Sequence, residues 1–327
     1  MQIIKNVITI PLEFKPSINI DNICFFDIET TGLSREYHQI YLIGILFFNR
    51  ESNDWTLTQL LADSLSDEED LLLSFTSMVK DFDRLVTYNG DSFDIPFVKK
   101  RLEKFGHYWD VDTSLDLYKL MRENRDILEI PDLKLKTLEK HLGIFRDDLI
   151  SGKDCIDLYK SYTVTKSDDT LNPILQHNYD DLQYMPHLLR IYNIIDRHKT
   201  IKIEAVEPNV MLYLNSIDFY EGKLSIDGSY NPNFKIPWMY FRPMYSFMLD
   251  KNNLFRFTIE TKKARLSQDI LADIVDTRLI DELDIESDLS PHESPSGILI
   301  LRANRNIYLQ NIKLIIENLF LFHYGKH

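Results

Sequence analysis

Apolar positions fall along this chain first in short runs and then in helical stripes. Residues 23–26 form an unbroken apolar run that predicts a buried strand. The run leads into Asp27-Ile28-Glu29 and breaks at Thr30-Thr31-Gly32, a sequence suited to a turn. Residues 40–48, with Gly44 inside, predict a second strand, and residues 55–61 a third. The short polar stretch between those two suggests antiparallel pairing. A further β-type run lies at 7–10, bounded by prolines. Asp67, Glu68 and Glu69 precede Leu71, Leu72, Phe75, Met78 and Val79, which predicts a helix with acids in its first turn. Residues 85–87 predict a short strand ending at the turn Asn89-Gly90, with a helix beginning near Pro96. Helices are predicted over 115–121, 134–142, 154–162 and 171–195.

Near residues 198–207 the pattern changes. Short β-type runs at 210–214, 223–226, 238–241 and 254–259 alternate with polar turns, among them Glu221-Gly222 and Asp227-Gly228. A helix is expected over 266–283, an exposed loop over 284–297 and an amphipathic helix over 306–322. The division implied is a first domain over residues 1–198 and a β-rich accessory region over 199–327. The aromatic residues Trp238, Tyr240, Phe241 and Tyr245 of that region suit a core or a partner-binding surface better than base stacking.

Composition narrows the class. A hydrophobic content of 44% in 327 residues can bury a sizeable core. A formal net charge of −14 argues against non-specific coating of nucleic acid, which uses broad basic surfaces. It leaves room for a local metal site that collects acids. Cys24 and Cys155 alone make no disulfide framework and no Cys-x-x-Cys zinc signature. With no secretory leader pattern and no apolar run long enough for a membrane span, a soluble cytoplasmic chain is expected. The absence of a Walker-type loop argues against ATP use.

The candidate chemistry begins at Asp27 and Glu29. Two residues apart on a strand, they point to one face, where their charges repel. A divalent cation resolves that conflict, and hard cations prefer carboxylate oxygen. Asp94 sits near the next strand-to-helix junction, with helix capping as its bland role and Asp91 as a rival. His177 and Asp181 are four apart and share a helix face, a spacing usual in plain surface pairs. Lys99, Lys100, Arg101 and Lys104 form one basic group, and Lys134, Lys136 and Lys140 another; either is readily a solvated helix face.

In order, Asp27-x-Glu29, Tyr88-Asn89-Gly90 through Phe93-Asp94, and His177-Asn178-Tyr179-Asp180-Asp181 resemble the three blocks of the DEDD 3′→5′ exonuclease superfamily. Leu135-Lys136-Thr137-Leu138-Glu139 and Leu142-Gly143-Ile144, together with the last block, are similar to the bacterial YprB-like ribonuclease H-like domain family. The resemblance covers about residues 21–195. It implies an α/β fold, a ribonuclease H-like mixed sheet flanked by helices, followed here by the smaller β-rich region with its C-terminal helix. It further implies two Mg²⁺ or Mn²⁺ ions held by Asp27, Glu29, Asp94 and Asp181, with His177 taking a proton from the attacking water or orienting it. Thr30, Thr31, Leu33 and Asn89 would contact a nucleic acid with a free 3′ end. The gap between His177 and Asp181 is that of the superfamily's tyrosine branch, whereas the histidine belongs to its other branch. The function expected is metal-dependent exonucleolytic cleavage of DNA or RNA. A non-catalytic binding module of the same fold and a metal-dependent endonuclease remain as alternatives, and a protein partner is open for residues 199–327.

Overall fold

The structure is a computed structural model and describes residues 1–10, 18–111, 113–128, 130–145, 150–206, 209–231 and 238–324. By the clustering of its contacts the chain forms two compact units, residues 1–125 with 130–193, and residues 126–129 with 194–327.

The first unit is built on a six-stranded sheet, in the order β1-β4-β3-β2-β5-β6. Its strands are β1 (Gln2–Ile8), β2 (Ile23–Thr30), β3 (Ile40–Asn49), β4 (Asp54–Leu61), β5 (Arg84–Thr87) and β6 (Ser114–Asp116). The first four pair antiparallel, whereas β5 and β6 continue from β2 in parallel. Its helices are α1 (Glu68–Val79), α2 (Asp94–Lys104), α3 (Leu117–Glu123), α4 (Arg125–Leu128), α5 (Leu135–His141), α6 (Gly152–Thr165), α7 (Asp168–Leu188) and α8 (Arg190–Lys199), of which α4 and α8 run across the division.

Strand β2 is buried along nearly its whole length, as a central strand covered on both faces must be. The coverage is visible in adjacent residues. The Phe26 ring packs 5.1 Å from Phe75 of α1, while Asp27, pointing the other way, receives a hydrogen bond from Asn178 of α7. Helices therefore lie on both sides of the sheet, and the carboxylate pair faces α7.

Several expectations change at this level. The β-type run at 7–10 is the tail of a longer strand, Gln2–Ile8, which pairs with β4 along its whole length. The helix expected over 115–121 is a helix only in its later part. Leu115 pairs with Val86 in the parallel sheet, and the Asp116 carboxylate then caps α3 through the amides of Tyr118 and Lys119. The stretch 171–195 is two helices, α7 and α8. The basic group on α2 is largely neutralised. Arg101 is buried in a bidentate pair with Glu68, and Lys99 and Lys100 pair with Asp110 and Glu36.

The second unit is β-rich. One six-stranded sheet has the order β10-β11-β12-β9-β8-β7, formed by β7 (Thr200–Ile203), β8 (Val210–Tyr220), β9 (Lys223–Tyr230), β10 (Trp238–Phe241), β11 (Tyr245–Leu249) and β12 (Leu254–Glu260). A four-stranded sheet joins β13 (Lys262–Arg265), β14 (Leu271–Asp276), β15 (Ile298–Ala303) and β16 (Asn306–Ile307), and α9 (Leu309–Tyr324) closes the chain. Trp238 and Phe247 are buried against Phe320 of α9, so these aromatics form core.

The helix expected over 266–283 is instead β14 and a following 3-10 turn, because pairing with β15 overrides an apolar spacing that suits either structure. Asp227-Gly228 is no turn. It lies inside β9, where a Cβ on residue 228 would fall 2.3 Å from the Tyr213 carbonyl oxygen. The loop at 284–297 has no strand or helix, and the last helix begins at Leu309. Among the described residues, no helix is long and apolar enough to cross a membrane.

Candidate active site

The site is assembled on the α7-facing side of β2, at the point where that strand passes into its turn. A strand alternates its side chains, so Asp27 and Glu29 emerge on one face. From the neighbouring parallel strand, the chain turns through Asn89, whose φ of 67° is left-handed, and enters α2 at Asp94. The Asp94 carboxylate does not cap its own helix. Its Oδ1 instead accepts a hydrogen bond from the Ile28 amide at 3.2 Å, which places it against the main chain between Asp27 and Glu29. Asp91 points elsewhere, accepting from Ser114 Oγ at 2.5 Å.

Helix α7 brings the remaining groups. Its buried stripe includes Leu171, Ile174, Asn178, Leu182 and Met185 at helical spacing, and the stripe rests on the sheet. His177 and Asp181 lie beside the stripe. His177 Nε2 is 3.7 Å from Glu29 Oε1 and 3.8 Å from Asp181 Oδ2. The four acids and the histidine singled out in the sequence thus converge from three elements.

The convergence depends on a row of residues crossing the sheet. Asp27 is paired with Gly44, and Gly44 with Gln59. Asn178 lies over this row. Its Nδ2 donates to Asp27 Oδ2 at 2.9 Å, and its Oδ1 accepts from Gln59 Nε2 at 3.0 Å. The Gln59 amide also donates to the Leu175 carbonyl at 2.8 Å. A Cβ on residue 44 would stand 2.2 Å from Asn178 Oδ1, so only glycine lets the helix come this close.

Burial and mutual repulsion dominate the electrostatics. Glu29 and Asp94 are 8% and 6% exposed. Desolvation, followed by the charges of Asp181 and Asp94, raises Glu29 to about 8. Asp94 is raised to about 7, again chiefly by burial. Asp27 is pushed well above the ordinary carboxylate range by burial and by Asp94, Asp181 and Glu29, against which the Asn178 hydrogen bond works. Among the described residues no Lys or Arg pairs with Asp27, Glu29 or Asp94. An all-oxygen donor set under this repulsion suits a hard divalent cation.

The turn beyond β2 is rigidly built. Thr30 Oγ1 donates to the Gly32 carbonyl at 2.9 Å, and Thr31 Oγ1 accepts from the Gln39 amide at 3.0 Å. Both hydroxyls therefore hold the loop itself. Leu33 projects outward, 84% exposed, as does Tyr37 at 87%. The Asn89 amide donates to Asp116 Oδ1 at 2.8 Å.

Reasoning from local sequence gave no role in the site to four residues. Asn178 and Gln59 order the site from behind. Cys155 of α6, wholly buried, places its sulfur among Glu29 and His177, and burial, followed by the charge of nearby Glu29, pushes the Tyr41 phenol up. The one local signal was Asn178, a polar residue at a core position of an otherwise apolar helical stripe.

The family model of the RNase H superfamily matches residues 24–193. Over 176 residues the chain is 33% identical to the uncharacterized protein YprB of Bacillus subtilis (strain 168), a match covering 50% of this chain and 40% of that one. The chain therefore spans less than half of that relative's length. A stretch of 46 residues is 48% identical to a DNA polymerase of Thermococcus aggregans, covering 14% of this chain and 2% of the polymerase. Among solved structures, the family B DNA polymerase of Pyrobaculum calidifontis aligns over 54% of this chain and 25% of its own, at 18% identity and a TM-score of 0.41.

Proposed function

From the premise that this chain belongs to the RNase H superfamily, we propose that it is a metal-dependent 3′→5′ exonuclease that hydrolyses phosphodiester bonds of nucleic acid. The observation that carries the proposal is the convergence of Asp27, Glu29, Asp94 and Asp181 beside His177 with no Lys or Arg, among the described residues, set against the first three. Structural acids are buried with a partner, as Glu68 is with Arg101. Acids buried against one another suit a cation taken from solution.

Asp27, Glu29, Asp94 and Asp181 would hold two Mg²⁺ or Mn²⁺ ions. When bound, such a pair activates water and offsets charge on the attacking and leaving oxygens. Asp27, central to the cluster, is fixed by Asn178 and would be one of the residues that hold the ions. Asp94 is held in place by the Ile28 amide. His177 presents Nε2 between Glu29 and Asp181, where it would accept a proton from the attacking water or orient it. Leu33 and Tyr37, exposed on the turn that leaves β2, would stack on or wedge against the terminal nucleotide, while Thr30 and Thr31 shape that turn. The left-handed Asn89 would position the loop leading to Asp94.

The test uses DNA and RNA labelled at the 5′ end, beside circular single-stranded DNA, with Mg²⁺, Mn²⁺ or a chelator. Stepwise shortening of the linear substrates with metal, and none of the circle, is expected. Cleavage of the circle would replace the exonuclease with an endonuclease. Metal binding with no cleavage of any substrate would leave a binding module.

A further inference from the structure

Cys155 lies where the hydrolytic reading has no use for it. A Glu29 oxygen, Cys155 Sγ and a His177 ring nitrogen lie within 4.8 Å of one another. This oxygen, sulfur and nitrogen set differs in kind from the all-carboxylate set beside it. Mg²⁺ favours six oxygens in an octahedron and takes thiolate poorly. Zn²⁺ takes four ligands in a tetrahedron and accepts all three atom types. With Zn–S near 2.3 Å and Zn–N or Zn–O near 2.0–2.1 Å, tetrahedral ligands stand roughly 3.3–3.6 Å apart. His177 Nε2 and Glu29 Oε1, at 3.7 Å, are nearly so placed already. Asp181 Oδ2, 3.8 Å from the same nitrogen, is within reach as a fourth ligand.

A second observation concerns Tyr41. The bulge in the β2–β3 pairing sets Glu29 opposite Leu42 and Thr30 opposite Ile40, which leaves Tyr41 unopposed. Its ring is fully buried and stacks at 3.9 Å on Tyr159 of α6. Its hydroxyl has no hydrogen-bond partner among the described residues, and the carboxylate whose charge bears on it most is Glu29. A buried hydroxyl in that position is a donor awaiting an acceptor.

We propose that Glu29, Cys155 and His177 form a site for a thiophilic divalent cation of the zinc class, whose occupancy withdraws Glu29 and His177 from hydrolysis. Binding forms the metal–sulfur bond and releases the thiol proton to solvent. Tyr41 donates to the Glu29 carboxylate or to a ligand of the bound ion. The cation site stands on its own geometry, whereas the inhibitory consequence rests on the nuclease reading.

The full chain is titrated with Co²⁺ and followed by absorption, then competed with Zn²⁺. The wild type is expected to show a sulfur-to-cobalt charge-transfer band and the intense visible bands of tetrahedral cobalt, both lost as zinc displaces it. Cys155→Ser should lose the band and weaken zinc binding by more than roughly 100-fold, the upper range for loss of a mere supporting group. His177→Gln, on a partly exposed helix face, is the second variant and should weaken zinc binding likewise. Cobalt bound with no charge-transfer band, or wild-type zinc affinity in either folded variant, overturns the site. Neither readout needs cleavage, so failure of the nuclease reading is seen separately, in the Mg²⁺ assay. Where that assay succeeds, stoichiometric Zn²⁺ should suppress it in the wild type, and unaltered cleavage with zinc bound would refute the inhibitory step.

Discussion

Glu29 and Asp94 in the first unit are about as buried as Asp273 in the second, at 8%, 6% and 4% exposure, yet they are held in opposite ways. Asp273 sits on β14 between Lys263 and Arg302, each with a nitrogen 2.7 Å from its carboxylate. Glu29 and Asp94 have other acids as their charged company, and among the described residues the one cationic candidate for Glu29 is His177 at 3.7 Å. The first unit can pair a buried acid when the pairing is structural, as Glu68 and Arg101 show. The difference is the one the proposed metal site requires, a cluster whose counter-charge would come from outside the chain.

The comparison is broken most severely at Asp27. Asp27→Asn should lower metal-supported cleavage by roughly 10³-fold or more, since it removes several kcal/mol of charge stabilisation at tenfold per about 1.4 kcal/mol. The same variant should blunt the rise in melting temperature that Mn²⁺ produces in the wild type. An unchanged metal response would sink the assignment.

His177 tests whether the cluster needs a base as well as metal. His177→Ala should slow the single-turnover step by roughly 10²–10⁴-fold while calorimetry still detects Mn²⁺ binding. His177→Tyr should retain part of the activity and show a weaker acid-side fall in its pH–rate profile. A wild-type rate from the alanine variant would remove His177 from the mechanism.

The smallest effect is on stability. In the metal-free chain, folding raises Asp94 from 3.8 to about 7 and Glu29 from 4.5 to about 8. The folded state then holds more protons than the unfolded state between those limits, so stability falls as pH rises. The contribution is fully present below about pH 4 and is lost as pH passes about 7 and then about 8. Melting temperatures without metal should decline across this window, and saturating Mn²⁺ should offset the decline. Arg302→Met supplies the contrast from the other unit. It removes one of two cations from the buried Asp273 while Lys263 remains, at about 1.5–3 kcal/mol for a lost hydrogen bond to a charged group, and should leave the Mn²⁺ response intact. A metal-free melting temperature that rises through this window would contradict the burial of unpaired acids.

How much was legible follows from the range of each interaction. The strands 40–48 and 55–61, the helix after Asp67 and the shared face of Asp27 and Glu29 were readable, because alternation and helical spacing act over a few residues. The pairing of His177 with Asp181 was readable on the same ground. The extra parallel strand at Ser114–Asp116 was not, since its three residues become a strand only by pairing with β5. Arg101 looked like one of a row of basic residues, and only the packing of α2 near α1 turned it inward to Glu68.

By itself, then, the sequence determined the acids available for chemistry and most of the elements that carry them through short-range patterns, and the α/β class through its resemblance to a known family. The tertiary structure decided what surrounds those acids. Gly44 opposite Asp27 lets α7 settle onto the sheet, Asn178 joins Asp27 to Gln59 across the gap, and the bulge at Thr30 leaves Tyr41 unopposed. Cys155 reaches Glu29 and His177 from a separate helix. These relations depend on strand register and helix packing between residues up to 151 positions apart, as for Asn178 and Asp27, and no local periodicity encodes a contact of that range.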